Sequence, residues 1–383
     1  MPEGLHILLA DAHSHGGGQV TYVTSLAREL VRSGHRVTIA CRRDSVLVAA
    51  AQEAGAAALD VFEFRRGFHL MSISHDLSQA RRFLRAEKPD VVHVNGSQDH
   101  WIFGAANGGG RRRTCLIRTR HNTNTVKPNL PNRRLNRKWT HYQIVVCDVV
   151  RKDLAIQRTF DARRMLTVHN GVDVEVYKPD VIARSRAREE FGYEEHHVVC
   201  GIAARLVPAK GHEFFFKAVA QLMKSYPDMR LLVLGRGPLE TQLKQLAVSL
   251  GIESITQFAG FRTDVAQCVT AFDIGVQPSI DCDTSSFSLK EQMATEIPVI
   301  ASDYGGLKEI VSDGVEGFIV PAHTIVPLAS AIRRVIDSAD LRRRMGVAGR
   351  RRVLREFTVQ TFAERTLRVY EKALKMHRER TPY

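Results

Sequence analysis

The chain has 383 residues, 44% hydrophobic and 25% charged, a composition that fits two folded domains of ordinary size and excludes a disordered or fibrous protein. Its formal net charge is +14, and no run approaches the roughly 20 apolar residues that span a bilayer. Six scattered cysteines without a CxxC pair exclude a disulfide framework or a cysteine zinc site and read as reduced core residues of a cytoplasmic protein.

The opening, "MPEGLHILLADAHSHGGG", carries an acid at Glu3 and no basic region ahead of its short apolar run, so no signal peptide is expected. "LHILLA" reads as a strand. In "QVTYVTSLARELVRSG", Val23, Leu26, Ala27, Leu30 and Val31 share one helical face, and Gly34 ends the helix. "RVTIAC", "DVVHVNG", "TCLIRTR", "QIVVCD" and "RMLTVHNG" continue the series, which predicts a parallel sheet wrapped by helices.

Between the first strand and helix lies "HGGGQ", His15 to Gln19, where Gly17 and Gly18 let backbone N–H groups approach an anion at a helix N-terminus. It is not GxGxxG, and Cys41-Arg42-Arg43 stands where a dinucleotide site needs an acid. His13 and His15 form no metal-ligand set with the residues beside them. From Arg111 to Lys138 the chain has no acidic residue at all. Single-sign charge of that length repels itself, so an anionic partner is expected there, either a membrane surface or a lipid-linked or phosphorylated substrate. Nucleic acid is disfavoured because the run lacks interleaved aromatic residues.

The charged segment "DVEVYKPDVIARSRAREEFGYEEHH" reads as a linker. The alternation then restarts with "VVCGIAA", "RLLVLG", "ITQFAGF", "DIGVQPS", "PVIASD" and "GFIV". The expected fold is therefore α/β, two doubly wound Rossmann-like domains facing an interdomain cleft. The boundaries read as 1–175 for the N-terminal domain, 176–361 for the C-terminal domain, and 362–383 for a C-terminal helix returning to the first domain.

Ligands of doubly wound sheets lie beyond the carboxyl ends of the strands. Arg205 and Lys210 follow the first strand of the second domain, Arg205 suited to bidentate phosphate binding and Lys210 to a nearby point charge. In "DTSSFSLKEQMATEIPVIASDYGG", Ser285 or Ser286 caps a helix whose first amides, around Ser286, Phe287 and Ser288, are free to face a diphosphate. Glu291, one to two turns in, suits ribose hydroxyls, and Asp283 points beyond the phosphates. That arrangement fits a nucleoside diphosphate attached to a sugar. The "DCD" at Asp281–Asp283 formally matches a metal-binding DxD, but the cation pair already supplies the charge a metal would bring, so no metal or other cofactor is expected.

The "GGG" loop, "HNGVD" (His169 to Asp173), "ARLVPAKG", "FAGF" and the acid–x7–acid element before "PVIASDYGG" together resemble glycosyltransferase family 4, retaining enzymes of the GT-B fold. The resemblance runs over nearly the whole chain in the family's order. It implies that Arg205 and Lys210 grip the donor diphosphate, Glu291 binds the ribose, and the loop at Gly260 contacts the base. It also implies that Gly17 and Gly18 lie near phosphates and acceptor, and that His121 lies near the transferred sugar. The first acid departs from the family's usual Glu-Gly-Phe-Gly. Asp283 is one methylene shorter, about 1.5 Å, so either the sugar sits closer or Asp283 does a lesser job. Ser286 and Ser288 add hydroxyls near the phosphate.

The implied function is retaining transfer of a sugar from a nucleotide-diphosphate-sugar to a hydroxyl of a lipid-linked or phosphorylated glycan, as in lipopolysaccharide or envelope polysaccharide assembly. The expected location is the cytoplasm or the inner face of the cytoplasmic membrane. The alternatives are a nucleotide-sugar epimerase or phosphorylase of the same architecture, or a non-catalytic glycan-binding scaffold.

Overall fold

The structure, a computed structural model, describes residues 4–108, 114–122 and 126–379. It divides into two compact units, Met1–Gly171 with Val359–Tyr383, and Val172–Thr358. These boundaries fall a few residues before those read from the sequence. Val172 and Thr358 form a parallel bridge, and the Val172 N–H donates to Phe357 O at 2.8 Å, which ties both ends of the second unit together.

The first unit holds seven strands: β1 (His6–Ala10), β2 (Arg36–Arg42), β3 (Ala57–Phe62), β4 (Val91–Val94), β5 (Cys115–Arg120), β6 (Tyr142–Val145) and β7 (Met165–Thr167). Their order is β3-β2-β1-β4-β5-β6-β7, and every pairing is parallel. Strands covered on both faces read as unbroken apolar runs, and all five residues of β1 are buried. The edge strand β3 has no such run: only Phe62 is buried, so the sequence does not announce it. Helix Val359–Glu379 belongs to this unit, with Phe362 packed edge-on against Tyr22 and the Tyr370 hydroxyl 2.7 Å from His93 Nδ1.

The second unit holds β8 (Val198–Ala203), β9 (Met229–Leu234), β10 (Thr256–Gly260), β11 (Ile274–Gln277), β12 (Val299–Ser302) and β13 (Gly317–Val320), ordered β10-β9-β8-β11-β12-β13 and again wholly parallel. Ile202, Phe215, Phe216, Leu231, Val233 and Val276 form part of its core. The two sheets match the GT-B pattern.

The expected linker is corrected. It contains helix Val181–Glu190, capped by Asp180, whose side chain accepts from the Ala183 N–H. The inward positions of this helix are Ala187 and Arg188, so charge faces the unit where apolar residues would have given the helix away. Arg184 donates to the carbonyls of Thr270 and Phe272 and to Asp273 at 2.6 Å, and Arg188 reaches the same carboxylate at 3.0 Å.

Candidate functional site

In each sheet the strand order reverses at one point, between β1 and β4 in the first and between β8 and β11 in the second. Within each unit the sequence-derived residues lie at or beyond the carboxyl ends of strands: Gly17 and Gly18 after β1, His121 after β5, Arg205 and Lys210 after β8, Gly260 at the end of β10, and Asp283 and Glu291 after β11.

In the second unit, β8 runs into the turn Pro208–Lys210 and then Gly211 at φ +70°. A Cβ on Gly211 would lie 1.9 Å from Pro278 O, so only glycine allows this turn to press against the chain leaving β11. The Ile280 N–H donates to Ala209 O at 2.9 Å, locking the two loops together. Across this junction Lys210 Nζ meets Asp283 Oδ2 at 2.7 Å, with the two side chains 18% and 4% exposed. The same oxygen accepts from Gln277 Nε2 at 2.9 Å and Ser279 Oγ at 2.7 Å. Asp283 is thus the buried counter-charge of Lys210, held by two neutral donors that the sequence reading passed over. Arg205 is exposed and makes no ion pair among the described residues.

Ser286 caps helix Phe287–Ala294, its side chain accepting from the Leu289 N–H at 3.2 Å. Phe287 and Ser288 are partly exposed at its first turn, and Ser288 Oγ accepts from Gln292 Nε2 at 2.8 Å. Glu291 is partly accessible. Burial pushes its carboxyl up to about 7, against the pull of a hydrogen bond from Tyr177 and the charge of Lys290. Tyr177, on the segment after the "HNGVD" motif, was not foreseen. The acid–x7–acid spacing therefore serves two separate partnerships, Asp283 with Lys210 and Glu291 with Tyr177.

The Gly235 N–H donates to Gly260 O at 2.7 Å, joining the loop after β9 to the end of β10. Beside Gly260, Phe261 is exposed beneath the Arg236 guanidinium at 4.9 Å from the ring centroid. Asp281 and Asp283 take different partners: Asp281 accepts from Tyr304 Oη at 2.9 Å and from the Cys282 N–H. Among the described residues no group of three His, Cys, Asp or Glu is arranged to hold a metal ion. Cys282 is exposed, the exception to the expected buried cysteines.

In the first unit, Gly17 at φ +149° precedes helix Gly18–Arg32. Asn95, which follows β4, donates its amide N–H₂ to Ala10 O at 3.2 Å, which turns its oxygen toward His121 Nε2 at 3.0 Å. That nitrogen therefore carries the proton. Burial, then the charge of Arg118, holds His121 well below the usual histidine range, so the ring is neutral. Asp11 at the end of β1 is fully buried, and its Oδ1 accepts from the His13 N–H, His13 Nδ1 and Gln19 Nε2 at 2.9, 2.7 and 3.0 Å. The sequence reading of His13 omitted this acid two residues away.

The basic run is also corrected. Residues 111–113 and 123–125 lie outside the described residues. Arg118 sits on β5, 5% exposed, within electrostatic reach of Asp99 and Asp11, so it is part of the interior. Lys127, Arg133, Arg134, Arg137 and Lys138 are exposed, but Arg137 donates to the carbonyls of Arg158 and Phe160, and Arg134 stacks on Trp139. The described part of the run is a buried strand followed, from Lys127, by exposed cations.

Two parallel, doubly wound sheets, with a cation–carboxylate pair beyond the second switch point, fit the GT-B glycosyltransferase architecture. Residues 16–176 match the family model described as Glycosyltransferase Family 4, and residues 184–352 match Glycosyl transferases group 1. The D-inositol 3-phosphate glycosyltransferase of Corynebacterium glutamicum is 31% identical over 292 residues, covering 69% of this chain and 68% of that one. The putative glycosyltransferase EpsD of Bacillus subtilis is 31% identical over 195 residues, 51% of each chain. The crystal structure of Anabaena HepE in complex with UDP has the same fold, with a TM-score of 0.83 at 20% identity, over 96% of this chain and 100% of that one. The chain belongs to the group 1, family 4 glycosyltransferases.

Proposed function

We infer that the protein transfers a sugar, with retention at the anomeric carbon, from a nucleotide-diphosphate-sugar to a hydroxyl of a lipid-linked or phosphorylated glycan. The observation that carries this reading is the Lys210–Asp283 pair at 2.7 Å, with Arg205 exposed on the same strand-end loop. In this reading Lys210 and Arg205 neutralise the departing diphosphate, aided by the first-turn amides of the helix capped by Ser286. Asp283 holds Lys210 in place, the lesser of the two roles its shorter side chain leaves open. Glu291 accepts from the ribose, and Gly260, with Phe261 beside it, meets the base. A UDP-bound neighbour of the same fold is consistent with a nucleotide donor.

Gly17, Gly18 and neutral His121 line the acceptor side in the first unit. The exposed cations Lys127, Arg133, Arg134 and Lys138 support an anionic acceptor or membrane surface at the inner face of the cytoplasmic membrane, as in envelope glycan assembly. No helix among the described residues is long and apolar enough to cross a membrane.

With the leaving-group charge met by side chains, no metal is required. Hydrolysis of a nucleotide-sugar panel in EDTA tests both parts of the donor assignment. One donor turned over at an undiminished rate is the expected result. Activity abolished by EDTA and restored by Mn²⁺ or Mg²⁺ contradicts it.

A further inference from the structure

Two buried glutamines border the donor-side residues, and both use the same end of the amide there. Gln277 Nε2 donates to Asp283 Oδ2 at 2.9 Å, and Gln292 Nε2 donates to Ser288 Oγ at 2.8 Å. Neither Oε1 has a hydrogen-bond donor among the described residues. A buried carbonyl without a donor destabilises a fold.

Gln292 is fully buried, and its amide also constrains the neighbouring strand. A Cβ on Gly275 would lie 1.7 Å from Gln292 Oε1, so β11 carries a residue without a side chain where the amide packs. Glycine inside a strand weakens it. The bond to Ser288 is what offsets the orphan carbonyl and the strand glycine.

Ser288 is partly exposed in the first turn of helix Phe287–Ala294. Its oxygen accepts from Gln292, and its O–H donates to no other group among the described residues. A hydroxyl that accepts from an inner donor keeps its proton for an outer acceptor. The Phe287 and Ser288 N–H groups belong to the same turn, whose amides have no partner within the helix. Two N–H donors and one O–H donor therefore share this turn, a set that suits a phosphate oxygen.

We propose that Gln292 is a positioning residue of the donor site, which sets the Ser288 O–H as a donor to a phosphate of the nucleoside diphosphate. The proposal rests on the transferase reading above and deepens it. Gln292 itself touches no ligand; it acts through the hydroxyl.

Calorimetry with UDP, GDP and ADP identifies the diphosphate that the wild-type chain binds most tightly, and the parent nucleoside serves as control. Ser288→Ala is expected to weaken that diphosphate about 10-fold, the scale of one hydrogen bond to a charged group, and Gln292→Met about 5-fold. Adding Gln292→Met to Ser288→Ala should weaken it less than about 2-fold further, because the hydroxyl is already gone. Ser288→Thr, which keeps the hydroxyl, should bind like wild type. The nucleoside should bind all variants alike. Methionine matches glutamine in size and leaves no orphan carbonyl, so Gln292→Met should melt at or above the wild-type temperature. Equal weakening by Gln292→Met with and without the Ser288 hydroxyl would make Gln292 a packing residue and overturn the proposal. So would undiminished diphosphate affinity in Gln292→Met or in Ser288→Ala. Either result leaves the transferase reading standing, since the wild-type chain still binds its diphosphate. Binding of none of the three nucleotides by the wild-type chain contradicts that reading itself.

Discussion

Replacing Lys210 with alanine is expected to lower kcat/KM for sugar transfer by about 10²- to 10³-fold, the scale of losing one group that stabilises developing negative charge. It should also destabilise the second unit. Asp283, 4% exposed, would keep only the neutral donors Gln277 and Ser279. Removing one partner of a buried ion pair costs about 3–5 kcal/mol, and the lower end applies because those two donors remain. The double variant Lys210→Ala/Asp283→Asn separates the two effects. It should recover much of the urea midpoint, since no uncompensated charge is left, while transfer stays lost. Recovery of activity along with stability would mean that Lys210 is structural. Near-normal turnover in Lys210→Ala would remove it from the donor site.

Glu291→Gln is expected to change how stability depends on pH. The unfolded carboxyl titrates near 4.5 and the folded one near 7, raised mainly by burial. Below the lower value both states are protonated, and the group is neutral in its effect. Between the two values the unfolded chain releases its proton while the folded chain keeps it, so folding stability falls as pH rises. The fall is about 1.4 kcal/mol per pH unit, or on the order of 3 kcal/mol over the window, and it levels off above about 7. Glutamine has no such proton. Urea unfolding at pH 5, 6, 7 and 8 should therefore show wild type losing stability relative to Glu291→Gln up to pH 7 and running parallel above it. Parallel curves throughout would contradict a raised carboxyl at this position. Because the ionised form is the better acceptor for ribose hydroxyls, the donor KM of wild type should fall from pH 6 to 8, while that of the variant stays flat.

The legible parts of this molecule are those where burial is written as apolar runs. Twelve of the strands are visible, most of them because parallel strands covered on both faces need continuous Val, Ile and Leu, as in "HILLA" and "RLLVLG". The edge strand β3 and helix Val181–Glu190 were missed for the converse reason: one is only partly buried, and the other docks through Arg184 and Arg188. At the site, strand-end positions brought Arg205, Lys210, Asp283 and Glu291 forward. Their partners stayed hidden because Tyr177 is 114 positions from Glu291 in the numbering and Gln277 lies inside a strand. Composition misled over the basic run. Lysine and arginine counts do not distinguish an exposed cation from Arg118, whose charge is turned inward beside Asp11 and Asp99. A neighbour two residues away, Asp11 to His13, was overlooked because the pair forms only when the chain turns at the end of β1.

In the proposed reaction, the charge at Lys210 and Arg205 drives transfer with retention. The most direct measurement is proton NMR of the product formed from an α-linked nucleotide-diphosphate-sugar and a lipid-phosphate glycan acceptor in EDTA, with a parallel reaction lacking acceptor. A new α-glycosidic anomeric signal is expected only with acceptor, with stoichiometric release of nucleoside diphosphate. A β-linked product would contradict retention. Conversion of the donor sugar to its epimer without acceptor, or release of a sugar 1-phosphate, would replace transfer with epimerisation or phosphorolysis.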